Sequence, residues 1–208
     1  MQGKEVLVIR TGIANLASVF AGLTRMGAKP FISENPDEIL RAESVMLPGV
    51  GSFAAGMQQL RNKGIAEPLK KRILDGKPTL AICLGLQLLC KKSEESPGVP
   101  GLGIIDQTVL RFPDSVRVPQ LGWNRIEPEA GCRLLQMGYA YFANSFRLLE
   151  PPQDWRIAYS EYGGRFVSAL EQGSVLACQF HPELSGEWGL DLMKRWLSQA
   201  PLNGGEAC

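Results

Sequence analysis

Apolar positions in the first half of the chain fall into short uninterrupted runs separated by stretches of helical periodicity. VLVI (6–9), SVMLP (44–48) and PTLAI (78–82) have the length and composition of strands buried on both faces, and KPFIS (29–33) reads as a further strand. Between them, LASVFAGLTRM (16–26) repeats at helical spacing, with Asn15 placed to cap it and Gly27 to stop it. A short helix is predicted at PDEIL, longer ones over FAAGMQQLRNKG and IAEPLKKRILDG, and another over LGLQLLCKK directly after PTLAI. Strands alternating with helices at this spacing predict an α/β fold with a mostly parallel sheet covered on both faces.

From about residue 100 to 180 the pattern changes. GLGIIDQTVLRF, VPQLGWNRI, YAYFAN, WRIAYSEYGG, RFVSAL and VLACQF are short strand signals punctuated by Gly, Pro and Asn, and they read as antiparallel additions to the sheet. EWGLDLMKRWLSQ predicts a closing helix. No repeat or low-complexity linker divides the sequence, so residues 1–200 are expected to form one domain and residues 201–208 a frayed tail.

Charge and cysteine usage narrow the classes of function. Twenty-two basic residues against 21 acidic ones, with no basic block, give no electrostatic case for nucleic acid or an anionic membrane. The five cysteines (83, 90, 132, 178 and 208) are scattered and include no C-x-x-C pair, which argues against a disulfide framework and against a zinc site. That usage suits a reducing compartment, and the cytoplasm is expected. The apolar run in MQGKEVLVIRTG is too short for a signal peptide, and PTLAICLGLQLLC is about half of what a bilayer span needs.

Three segments carry candidate chemistry. In AICLGLQ (81–87), Cys83 stands where a buried strand passes into a helix, with small residues two away on either side, Ala81 and Gly85. A nucleophile elbow has that steric requirement, and a following helix aims unpaired N–H groups at the sulfur. The alternative is a buried core cysteine, which is the reading for Cys90 and Cys178. His181, the only histidine in 208 residues, follows the strand VLACQF and precedes Pro182 and Glu183. Pro182 biases it to extended geometry and prevents a helix from starting there, and in an extended segment Glu183 lies on the same side. Cys, His and carboxylate in that order of contact form a nucleophile–base–orienter set. The loop PGVGS (48–52) follows a strand, and its glycines leave backbone N–H groups unobstructed for an oxyanion; alone it is equally a tight turn or a phosphate loop.

Taken with TGIANLASV, SEESPGVPGLGII, YAYFANSF and EYGG, these segments resemble the class I (triad) glutamine amidotransferases over roughly residues 4–198. PGVGSF, SEESPGV and LGWN narrow the resemblance to the glutaminase subunits of imidazole glycerol phosphate synthase. The resemblance implies a flavodoxin-like three-layer fold with additional antiparallel strands, and hydrolysis of glutamine to glutamate and ammonia without a cofactor or metal. It implies Cys83, His181 and Glu183 as the triad; Gly49, Val50 and Leu84 as the oxyanion hole; and Gly51, Gln87, Glu95, Ser145 and Phe146 as substrate-binding residues. It further implies channelling of the ammonia to a cyclase subunit, a (βα)8 barrel, in a heterodimer whose interface on this chain includes Asn15, Pro119, Gln120, Trp123 and Leu184. The sequence departs from that family where it has Gln120 and Asn144 in place of histidine and Leu184 in place of a basic residue. Gln and Asn keep hydrogen-bonding capacity but cannot titrate near neutral pH. The departures leave open a partner-binding subunit with weak or absent catalysis; because channelled ammonia carries no mark of its acceptor, a glutaminase serving a paralogous barrel synthase also stays open.

Overall fold

The computed structural model describes residues 3–10 and 16–199; the predicted Asn15 cap and the tail at 201–208 lie outside them. In chain order the first half runs β1 (Glu5–Ile9), α1 (Leu16–Arg25), β2 (Lys29–Ser33), α2 (Pro36–Arg41), β3 (Val45–Gly49), α3 (Phe53–Asn62), α4 (Ala66–Leu74), β4 (Thr79–Cys83) and α5 (Leu84–Leu89). The second half adds β5 (Cys90–Ser93), β6 (Ile105–Arg111), β7 (Gln120–Pro128), β8 (Gly138–Asn144), β9 (Phe146–Leu148), β10 (Arg156–Glu161), β11 (Arg165–Gln172) and β12 (Val175–Cys178). A 3-10 turn (Pro182–Leu184) and α6 (Gly186–Ser198) complete it.

The main sheet runs β2-β1-β3-β4-β12-β11-β10-β7-β8. The first five strands are mutually parallel, and pairing is antiparallel from β11 onward. The uninterrupted apolar runs are explained by the layers. Leu47, Ala81 and Ala177 face α3, α4 and α5 through Phe53, Met57, Leu69 and Leu88. The alternate residues Met46, Leu80 and Leu176 face α1 and α6 through Val19, Leu23, Leu192 and Trp196. With both faces covered, every position of β3, β4 and β12 is buried.

Buried polar groups tie the layers. The Arg72 guanidinium donates to Thr79 Oγ1 and to the carbonyls of Ile39, Ala42, Glu43 and Pro78, and so joins α2 and α4 to the starts of β3 and β4. Burial lowers its pKa to about 10. Glu171 accepts from the backbone N–H groups of Arg133, Leu134 and Leu135, which fixes the loop before β8.

Two expectations need correction, and one strand was not anticipated. The helix after Cys83 stops at Leu89, and Cys90–Ser93 forms β5, because pairing with β6 satisfies its backbone while Lys91 and Lys92 stay exposed. The strand VLAC is not an antiparallel addition: β12 lies between β4 and β11 and runs parallel to β4. β9, only three residues long, carries no readable signal. Among the described residues, no helix is long and apolar enough to cross a membrane.

Candidate active site

Cys83 ends β4 in register with Gly49 of β3, at the C-terminal edge of the parallel strands, where open α/β sheets place their sites. Its backbone is held at φ 54 and ψ −108, a conformation that costs a side-chain-bearing residue on the order of 1–3 kcal/mol. The neighbouring glycines show what imposes it. A Cβ on Gly85 would lie 2.2 Å from the Leu47 carbonyl oxygen, so α5 packs its first turn directly against the β3 backbone. A Cβ on Gly49 would lie 3.0 Å from Leu84 Cβ. The elbow and the PGVGS loop therefore meet backbone to backbone.

His181 reaches the same edge from β12. Its N–H donates to the Tyr141 carbonyl at 2.9 Å, and its own carbonyl accepts from Ser185 Oγ at 2.6 Å. Pro182 does not exclude helix here, as the sequence suggested: it is the first residue of the 3-10 turn, a position where its missing N–H needs no partner. Glu183 consequently comes alongside through the turn rather than by strand alternation, with Oε1 2.9 Å from His181 Nδ1. Both side chains are buried. Burial opposes charge on the imidazole, but hydrogen bonds to Cys83 and Glu183, and their charges, outweigh it and push His181 up to about 10.

Cys83 and His181 open on a cavity of about 180 Å³ that Val50, Gly51, Leu84, Gln87, Glu95, Ser145 and Phe146 also line. Gly49 stands behind the loop and Glu183 behind the imidazole. Glu95 Oε2 accepts from Phe53 N at 2.6 Å, and Ser96 Oγ from Ala54 N, so the SEESPG segment holds the start of α3 beside the loop. Gln87 Nε2 donates to the Phe146 carbonyl at 3.4 Å and to Gln179 Oε1 at 3.0 Å. Larger clefts of about 640 and 680 Å³ elsewhere are lined by neither cysteine nor histidine.

One residue of this cluster escaped the sequence reading. Gln179 is fully buried and its Nε2 lies 3.6 Å from Cys83 Sγ. The signal was present: the alternation applied forward from His181 to residue 183 also runs backward to 179.

The residues tied to a partner separate into two groups. Pro119, Trp123 and Leu184 are exposed, and Trp123 stands edge-on to Tyr141 at 6.4 Å. With Leu121, Met137 and Tyr139, Pro119 and Trp123 make an exposed apolar strip along β7 and β8, whereas Leu184 belongs to the 3-10 turn. Gln120, by contrast, is 3% exposed and pairs across the ladder with Asn144, beneath that strip and beside the cavity. Asn144 Nδ2 donates to the Phe146 carbonyl, while Gln120 Oε1 and Asn144 Oδ1 find no partner among the described residues. Asn15 lies outside the described residues.

The family model for glutamine amidotransferase class-I matches residues 12–199. The imidazole glycerol phosphate synthase subunit HisH of Escherichia coli (strain K12) is 42% identical over 198 residues, 93% of this chain and 98% of that protein. The HisH subunit of Salmonella typhimurium is 41% identical over the same shares. Among solved structures, a glutamine amidotransferase aligns with TM-score 0.75 at 21% identity, covering 93% of this chain and 98% of that one. PurLQS from Thermotoga maritima aligns with TM-score 0.72 at 19% identity, covering 95% and 99%. The strained cysteine beside a buried His–Glu pair thus stands on a fold and in a sequence that agree: the chain belongs to the class-I glutamine amidotransferases.

Proposed function

We propose that residues 1–200 work as one unit, the glutaminase subunit of an imidazole glycerol phosphate synthase in histidine biosynthesis. The observation that carries the reading is Cys83 at a positive-φ elbow with His181 and Glu183 hydrogen-bonded beside it at one cavity. Cys83 Sγ attacks the side-chain carboxamide carbon of glutamine, and the oxygen takes the negative charge. The N–H groups of Leu84 and of Gly49 or Val50 hold that oxyanion; one such donor is worth about 10² to 10³ in rate. His181, oriented by Glu183, gives its proton to the departing nitrogen, so ammonia leaves and a thioester remains. The imidazole then takes a proton from water as it attacks the thioester, releasing glutamate and restoring the thiol. Gln87, Glu95, Ser145 and Phe146, with Gly51, hold the amino-acid end of the substrate.

Ammonia that escapes to water is protonated and lost as a nucleophile, so the chemistry favours a sealed exit. The exposed apolar strip of β7 and β8 abuts the His181 segment through the Tyr141–His181 bridge, and it supplies a docking face of suitable character. The partner we assign to it is a cyclase subunit with a (βα)8 barrel, in a cytoplasmic heterodimer. The test is glutamate release with and without that cyclase, for the parent and Cys83→Ala. Stimulated release abolished by Cys83→Ala is the expected result; release surviving in the variant would exclude the mechanism.

A further inference from the structure

We propose that Gln179 is a positioning residue of the nucleophile, donating a hydrogen bond to Cys83 Sγ with its orientation dictated through Gln87. The proposal rests on the glutaminase reading for its kinetic consequence, but its physical basis is the network itself.

A side-chain amide with no solvent exposure must find partners or lose a few kcal/mol, and Gln179 has none of its surface exposed. The direction of its amide follows link by link. The Phe146 carbonyl can only accept, so Gln87 turns its NH2 toward it, at 3.4 Å. That same NH2 donates to Gln179 at 3.0 Å, so Gln179 presents its oxygen to Gln87. The remaining end, Nε2, is left facing Cys83 Sγ at 3.6 Å. The Gln179 backbone is fixed independently by its N–H on the Ser168 carbonyl at 2.8 Å. The sulfur thereby has a neutral donor besides the imidazole. A donor to sulfur favours thiolate over thiol, and that preference disappears once the sulfur is acylated. Gln179 therefore acts on how much thiolate is ready to attack rather than on how glutamine binds. It also means that Gln87, which lines the substrate cavity, acts on the nucleophile as well.

Gln179→Met keeps the volume and removes the donor. The expected result is a fall in kcat of roughly 10- to 100-fold, the range of one hydrogen bond to a charged group, with KM changed by less than about threefold. The pH profile of Cys83 alkylation by iodoacetamide should move upward by about one to two units, because one unit corresponds to a tenfold change. Cys83→Ser supplies the background from the other thiols, of which Cys90 and Cys178 are fully buried. Alkylation requires neither glutamine nor a partner, so it tests Gln179 even if the parent releases no glutamate. A folded Gln179→Met protein with the parent's alkylation profile and kcat would overturn the proposal. If that variant does not fold, Gln87→Met decides: it frees the Gln179 amide, and an upward shift supports the relay, whereas an unchanged profile overturns it.

Discussion

The carbonyl oxygen of Leu47 lies 2.2 Å from the point that a Cβ on Gly85 would occupy. Strand β3 and the first turn of α5 are thus in contact through their backbones, and Cys83 is bent into place between them. Gly85→Ala must push these elements apart. Overpacking of this kind costs about 1–3 kcal/mol, and each kcal/mol lowers the Tm of a chain this size by roughly 2–4 °C. Thermal unfolding measures the first effect. Glutaminase activity should fall more steeply than stability, since the same displacement moves the sulfur away from His181.

The strain at residue 83 predicts an opposite pairing of effects for Cys83→Gly. Glycine adopts positive φ without penalty, and relief of about 1–3 kcal/mol exceeds its entropic cost of about 0.5–1 kcal/mol. The variant should be inactive and yet unfold at the parent's temperature or above it. An inactive variant that is also clearly destabilised would show that the elbow is not a stability cost.

A single histidine makes the proposed base directly observable. The one imidazole Cε1–H resonance of the folded protein should titrate near 10, against 6.5 for an unperturbed ring. Because the folded value is raised, the stabilisation from His181's partners is complete below about pH 6.5 and is lost as pH rises through about 10. Glu183→Gln removes one of the two groups that hold the proton, so the resonance should titrate lower. An unchanged midpoint would mean that Glu183 does not orient the ring.

On the outer face, Trp123 is 58% exposed and Leu121 62%. Trp123→Ala and Leu121→Asp should leave thermal stability within about 0.5 kcal/mol, as for surface substitutions generally. If this strip docks the proposed cyclase partner, both should weaken that association and reduce the stimulation of glutamate release it brings. Sedimentation or calorimetry with the purified cyclase checks the first point; equal affinity in both variants would move the interface elsewhere.

Much of this architecture could be read from residues alone, where local rules and burial point the same way. Continuous apolar runs identified β1, β3 and β4 because both faces of those strands are covered. The small residues around Cys83 marked the elbow because the backbone contact excludes anything larger at 85. Where the reading failed, longer-range pairing decided the outcome. CKKS became a strand because β6 lies beside it, and VLAC entered the parallel half because β4 offered an edge. Pro182 began a 3-10 turn instead of preventing one, since the rule that disfavours helix before proline says nothing against proline in a first helical position. Gln179 was overlooked, and Gln120 was expected at an outer interface although it faces inward, for a related reason: the role of a neutral amide is set by its partners across the sheet.

β12 has a consequence for the order of assembly. It is the strand that joins the parallel and antiparallel parts of the main sheet, and the proposed base His181 follows it by three residues, nearly a hundred residues after the proposed nucleophile Cys83. A chain emerging from the ribosome presents Cys83 long before His181 exists to take its proton. On the proposed reading the thiol has its base only once β12 has paired with β4, so chemical competence comes with closure of the sheet.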